Sequence, residues 1–545
     1  MPSLALARAG AGAAQFDAAP PDLLGRVLER LPPRDVRAAR LAARALDDAA
    51  RAQLARAATL TLTPANAAAG AAPNWARFPR LRRLVLVGWQ SASDSRRLEN
   101  LFDDLASCSA VAALAAVTDV AFVRSDRLGA AALAAVLRRT PGAARIGLPA
   151  LPQLWAPGAD GAQQLAVLSG AAAAAPRLRE LRAPIHAFGA AAAAAVARLF
   201  PALEALSVGS LAVGGAPAPG AWAALPCGRL TALRFGLFHC EPIPPAVTKG
   251  LHWPRLRELA GVELPAEQAA ALAQGLPGLE ALAARPTGAW PPRPAAVFPR
   301  VARASLTCCC ESFGAVHLAG LLPSLRELVV SVHKTLDADL RDLTRLSSLA
   351  AFTSGQPSHA PPSAERERLF DALRAMPRLR RLALSVGPRD APLLARLPPA
   401  LEALKLSVCP FAAPSPWGAI GPLEGIDLGA VLQALSGLTA LSSVDLSGPT
   451  AAPRAAARAP PRAGPPRLRA LAVGAEVGVE GVRAIAECCR LERLTVQRCA
   501  LSAPLDEPAV QRLAAECAAS GPSIKVADAR MFWGVGADCQ YWVEW

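Results

Sequence analysis

Three consecutive cysteines, Cys308, Cys309 and Cys310, precede His317 and form the densest cluster of reactive side chains in the chain. Thiolate and imidazole are the ligands zinc prefers, and a Cys/His pair can also serve a nucleophile. Adjacent side chains diverge, however, and the run lacks the two-pair spacing of a zinc site. The remaining histidines (186, 239, 252, 333 and 359) are scattered. There is no Gly-Lys-Ser/Thr phosphate loop, no His-Glu-x-x-His and no nucleophile elbow. The expectation is a chain without catalytic, cofactor-binding or metal-binding residues.

The elements that hold these residues follow one repeated phrase: Pro, any residue, Leu, two residues, Leu, one residue, Leu or Val. It reads Pro-Arg-Leu-Arg-Arg-Leu-Val-Leu at Pro79–Leu86, Pro-Ser-Leu-Arg-Glu-Leu-Val-Val at Pro323–Val330 and Pro-Arg-Leu-Arg-Arg-Leu-Ala-Leu at Pro377–Leu384. A further copy is Pro466–Val473. Anchored on its first apolar residue, the phrase recurs at Leu81, Val117, Ala143, Leu178, Leu203, Leu230, Leu256, Leu279 and Val301. It continues at Leu325, Leu349, Leu379, Leu401, Leu441, Leu468 and Leu491. Looser copies stand at Ala57/Leu60/Leu62 and Gly521/Ile524/Val526. Residues three and five places after an anchor share one face of a short strand. Each strand then pairs in parallel with the next copy, and helices between phrases cover the apolar face. Ala266–Gly275, Glu365–Met376 and Ala509–Ala518 carry apolar residues at helical spacing.

A phrase repeated at this period signals a solenoid. Leu491, Leu494, Val496, Cys499 and Leu501 match the full leucine-rich repeat consensus, as do Leu401, Leu404, Leu406, Cys409 and Phe411. The chain resembles the leucine-rich repeat family over most of its length. The resemblance implies an α/β horseshoe solenoid with parallel strands on the concave side and helices on the convex side. It also accounts for Cys309, Cys409 and Cys499, each eight places after an anchor, where the family places Asn or Cys turned inward. His186 and His333 occupy the same position. Structural thiols in a reducing compartment are the expected reading.

The formal charge is +15 over 545 residues, and nearly all the basic residues are arginine. A basic chain points to acidic partners, nucleic acid or anionic membranes. The arginines are scattered within the phrase and never form a run of five or six. A solvated, compositionally biased surface therefore fits better than a nucleic-acid site. The uncharged stretch Ala205–Gly228 is interrupted by Pro217, Pro219 and Pro226, so no membrane span is expected. The expected location is cytoplasmic or nuclear, with cytoskeletal or ciliary association as an alternative. A transit peptide within residues 1–18 is the alternative to a disordered tail there.

Residues 19–56 follow a different pattern. Pro20-Pro21-Asp22 is a helix start, and Leu23, Leu24, Val27, Leu28 and Leu31 lie on one helical face. Pro32-Pro33 ends that helix, and Asp35 is placed to cap a second one carrying Val36, Ala39 and Ala43. A third is expected over Asp47–Ala57. This segment resembles an F-box: Pro20, Leu23, Leu24, Val27, Leu28, Leu31, Pro32, Asp35, Val36, Arg40, Leu41 and Arg44 fit its motif in order. Ala19, Ala42-Ala43 and Leu46 replace larger family residues. The resemblance implies docking to a Skp-family adaptor and a cullin–RING ubiquitin ligase, with Pro20, Leu23, Leu24, Val27, Leu28, Leu31 and Pro32 facing or supporting the adaptor. The alternative is a helical cap over the first repeat.

The domain plan is a tail (1–18), an F-box-like unit (19–56), the solenoid (57–530) and an aromatic C-terminal cap (531–545). The Pro/Ala-rich stretch Pro449–Pro466 interrupts the solenoid. The candidate target surface is the concave strand face, which holds Arg83, Arg182, Arg234, Glu258, Arg285, Arg303, Glu327, Arg381, Lys405 and Arg493. The face is mildly basic and poor in aromatics, which suits an acidic protein target.

Overall fold

The computed structural model describes residues 59–64, 78–103, 108–123, 125, 128–148, 168–173, 175–183, 190–208, 224–225, 228–235, 252–290, 297–308, 315–332, 340–353, 364–386, 388–408, 428–446, 465–474, 485, 491–498 and 523–528. The chain forms two compact units, Met1–Leu230 and Thr231–Trp545. In the first, strands β1 (Thr59–Leu62), β2 (Arg83–Val87), β3 (Asp119–Val123), β4 (Arg145–Gly147), β5 (Glu180–Ala183) and β6 (Ala205–Val208) pair in chain order, all parallel.

The second unit continues with β7 (Ala232–Phe235), β8 (Glu258–Pro265), β9 (Ala281–Thr287), β10 (Arg303–Cys308), β11 (Glu327–Val332) and β12 (Ser348–Thr353). Then come β13 (Arg381–Val386), β14 (Ala403–Val408), β15 (Ser443–Leu446), β16 (Ala470–Gly474), β17 (Arg493–Arg498) and β18 (Ser523–Asp528). These too form a parallel ladder in chain order.

The phrase sets the register. In each pair the residue two places after one anchor faces its counterpart in the next: Arg83 faces Asp119, and Arg381 faces Ala403. Residues three places after the anchors, such as Leu84, Leu181, Leu328 and Leu494, are buried. A parallel strand alone would leave that face wet, so it packs against the intervening segments. Each unit is a leucine-rich repeat solenoid.

The proline of the phrase closes a turn. The anchor N–H donates to the carbonyl three residues earlier, as in Leu81 to Phe78 (3.1 Å), Leu256 to Trp253 (3.2 Å) and Val301 to Phe298 (3.3 Å). Proline sits at the second turn position, where its fixed φ suits the bend. The residues whose carbonyls accept these bonds are buried too, Phe78 and Phe200 in the first unit and Trp253, Phe298 and Met376 in the second. At Gly142 the third turn position admits no side chain, because a Cβ there would lie 2.4 Å from the Ala115 carbonyl oxygen.

One anchor differs from expectation. Leu349 pairs with Leu328 and so lies three places after the anchor; the anchor itself is Leu346, whose N–H donates to the Leu343 carbonyl at 3.0 Å. Both leucines are buried, and Thr344 stands where most copies of the phrase have proline.

Helices fill many intervals: α1 (Ala92–Asp103), α2 (Cys108–Ala115), α3 (Ala130–Arg139) and α4 (Ala190–Leu199) in the first unit. In the second are α5 (Ala269–Gly275), α6 (Ala315–Leu321), α7 (Ala364–Arg374) and α8 (Leu428–Ala434). Helices α5 and α7 fall where apolar spacing places them, whereas Ala509–Ala518 lies outside the described residues. Between β13 and β14 the cover is a 3-10 helix, Pro388–Arg396, that includes Pro392. Arg366 on α7 binds Asp390 of that helix (Nη2–Oδ2 2.9 Å) and lies 5.8 Å from the Phe370 ring centroid. Both side chains are largely buried, so this pair joins two neighbouring covers.

Candidate protein-interaction face

Because +3 and +5 side chains point into the core, those at +2, +4 and +6 point to the opposite face of the strands. On β2 the alternation runs exposed, buried, half-buried, buried, half-buried. All ten residues expected on this face lie on described strands at those positions.

The strand ladder brings oppositely charged residues together from repeats 20 or more residues apart. Arg234 (β7) donates Nε and Nη2 to the two carboxylate oxygens of Glu258 (β8), each at 2.7 Å. Lys405 (β14) meets Asp445 (β15) at 3.2 Å. Arg381 (β13) reaches Glu327 (β11) at 3.2 Å, passing over β12, where the residue in register is the buried Ser348. In the first unit Asp119 (β3) accepts from both neighbouring strands, with Arg83 at 3.5 Å and Arg145 at 3.3 Å. Arg182 donates to Glu180 on the same strand at 2.9 Å.

The longest strands, β8 and β9, are irregular. Gly261, at φ +75°, adds an extra residue, so the register shifts between Ala260 and Val262. Past this bulge Glu263 faces Arg285, with their side chains 3.6 Å apart. Burial pushes the Glu263 carboxyl above the usual carboxylate range, and the Arg285 guanidinium opposes that rise. Arg303 and Arg493 stand at +2 on β10 and β17.

The face is therefore a lattice of paired charges rather than the row of solvated arginines that single residues suggest. Asp119 and Arg145 follow from applying the +2 rule to Val117 and Ala143. Glu263 has no such signal, because the bulge moves it out of phase. A second set of pairs lies one place after the anchors: Arg179–Glu204 (3.4 Å), Arg257–Glu280 (3.0 Å), Arg380–Glu402 (3.8 Å) and Arg469–Glu492 (3.3 Å). In each, an arginine precedes a glutamate by one repeat. These pairs are exposed and worth at most about 1 kcal/mol each.

Among the described residues no group of three or more His, Cys, Asp or Glu could hold a metal ion. An open cleft lined by Gly142, Ala144, Pro176, Arg177, Arg179 and Ala202 offers no acid, nucleophile or imidazole. No described helix is long and apolar enough to cross a membrane. Cys309, Cys310, Cys409, Cys499, His186 and His333 lie outside the described residues, as do residues 1–58 with the F-box-like positions Pro20, Leu23, Leu24, Val27, Leu28, Leu31 and Pro32. The aromatic C-terminus (531–545) and nearly all of Pro449–Pro466 also lie outside them.

No protein-family model matches the chain, and no curated protein matches it. Among solved structures the chain is similar to that of a TLR13–ssRNA13 complex, at 13% identity and a TM-score of 0.30. The match covers 79% of this chain and 56% of that one, so the chain spans little more than half of TLR13. It is also similar to a Rad7 and Elc1 complex in yeast, at 15% identity and a TM-score of 0.39, over 74% of this chain and 92% of that one. A third is the leucine-rich repeat-containing protein LegL7 from Legionella pneumophila, at 13% identity and a TM-score of 0.28, over 70% and 97%.

Proposed function

We propose that this chain is the substrate-recognition subunit of a Skp–cullin–RING ubiquitin ligase. Residues 19–56 dock the Skp-family adaptor, and the repeats hold a protein target. The observation that carries the reading is the F-box-like segment placed directly before β1 and the repeats that follow it. The gain is effective concentration: a bound target is held near the ubiquitin-charged enzyme, and this chain performs no chemistry of its own. The target face in each unit is its charged strand face, with Arg83 and Arg182 in the first unit and Arg234, Glu258, Arg285, Arg303, Glu327, Arg381, Lys405 and Arg493 in the second. Its mixed signs favour a protein surface of complementary, partly acidic pattern over a uniform polyanion. No cofactor is required.

Co-purification with a Skp adaptor tests the mechanism. The wild type should retain the adaptor and Leu31→Asp should lose it; equal recovery of both rejects adaptor docking through this segment.

One observation favours a second reading, in which the N-terminal helices only cap a non-catalytic interaction scaffold. Leu60 on β1 is half-buried, whereas its counterpart Leu84 on β2 is fully buried. The first repeat is thus less well covered than the second, which is the need a cap serves. In that case deleting residues 19–56 would lower stability without affecting any adaptor.

A further inference from the structure

The arginines that are dispersed in sequence converge on the edge where strands begin. Residues just before and just after the anchors of β10 to β13 flank a buried leucine or valine and are exposed or half-buried. In four consecutive strands these positions are Arg300 and Ala302 (β10), Ser324 and Arg326 (β11), Arg345 and Ser347 (β12), and Arg378 and Arg380 (β13). All five arginines are exposed. Parallel strands lie about 4.8 Å apart and alternate residues about 6.7 Å apart, so the five occupy a strip about 14 Å long. Only Arg380 has an ion-pair partner among the described residues, Glu402 at 3.8 Å. On the strands before the strip the flanking charges are partly cancelled, as by Arg257–Glu280 beside β8 and β9. The acid nearest in sequence, Glu327 beside Arg326, is engaged by Arg381 on the strand face at 3.2 Å, and the exposed Asp342 lies three residues before Arg345.

We infer that Arg300, Arg326, Arg345, Arg378 and Arg380 form a docking strip for a short, extended, acidic polypeptide segment. The strip is distinct from the strand face assigned to the target above and does not depend on adaptor docking. An extended peptide presents every second side chain on one side about 6.7 Å apart, so a segment with an acid at alternate positions can set three carboxylates along the strip. Guanidinium groups bind carboxylates through paired hydrogen bonds. The three remaining positions, Ala302, Ser324 and Ser347, are small and leave the backbone approachable. Two features weigh against nucleic acid. No aromatic residue occupies these positions to stack a base. A strip of this length is also short for even a single nucleic-acid-binding module, which buries roughly 600–1,000 Å².

The test is fluorescence anisotropy on the full chain with a labelled peptide of alternating Glu and Ser, compared with single-stranded oligo-dT and a DNA duplex. Combining Arg326→Ser, Arg345→Ser and Arg378→Ser should weaken peptide binding by about tenfold or more, given up to about 1 kcal/mol per exposed charge pair. Combining Arg80→Ser, Arg255→Ser and Arg467→Ser removes the same charge from equivalent positions outside the strip and should change it less than about twofold. Circular dichroism reports folding, and Arg345→Glu alone, which should also cost about tenfold, decides the matter if the triple variant unfolds. Equal loss in both triple variants, tighter binding of either DNA than of the peptide, or no peptide binding would each overturn the inference.

Discussion

Arg381 and Glu327 are 54 residues apart and two strands apart, yet their side chains meet at 3.2 Å over the buried Ser348. A small residue on β12 lets the long arginine cross it, and the parallel register holds both ends in line. Substituting Ser348→Phe should place a ring between them and into a tightly packed layer. Overpacking of this kind costs about 1–3 kcal/mol, measurable as a lower urea midpoint with an unchanged m-value.

Leu346, not Leu349 alone, should behave as a core anchor. Leu346→Ala should lower stability by about 3 kcal/mol, the middle of the range for buried leucine truncation. Ser347→Ala beside it should change stability by less than about 0.5 kcal/mol. Comparable values for the two would place the anchor elsewhere.

Asp390 is 7% exposed and tied to Arg366. Asp390→Ala leaves that guanidinium without its carboxylate in a largely buried site, which should cost about 3 kcal/mol. Removing both partners together should cost less than the sum of the single losses, so a double-mutant cycle on thermal unfolding should show coupling.

Gly142→Ala should destabilise by about 1–3 kcal/mol, because the new methyl meets a backbone carbonyl that cannot swing away. Gly228→Ala, with no atom within 4 Å of its would-be Cβ, should be close to neutral in the same assay.

Glu263 provides the pH prediction. Its folded pKa lies above the ordinary value of 4.5, so the native state holds its proton to higher pH than the unfolded chain does. Through that window stability falls as pH rises. The stability of the wild type relative to Glu263→Gln should therefore increase as pH is lowered from neutrality toward 4.5. A difference that is flat or of opposite slope in denaturant titrations would contradict the assigned burial.

Much of the fold is legible in the sequence because the phrase couples a turn residue to a strand alternation: Pro377 and Leu379 mark β13 by residue type and spacing alone. Leu346 is not, since Thr344-Arg345-Leu346-Ser347-Ser348-Leu349 offers two leucines and no proline to choose between them. The candidate face is legible in position but not in charge state. Arg234 and Lys405 look like free cations until the register delivers Glu258 and Asp445. Glu263 is hidden by the Gly261 bulge, which shifts the rest of β8 by one place. The basic strip is hidden for the same reason as the ion pairs, because its arginines are neighbours only after the strands have stacked.

Adaptor docking through residues 19–56 is decided by isothermal titration of the purified full chain with a Skp-family adaptor. One adaptor should bind per chain, with binding lost in Leu31→Asp and retained in Arg381→Ala. No measurable binding, or equal binding by Leu31→Asp, would rule out the ubiquitin-ligase role proposed for this chain.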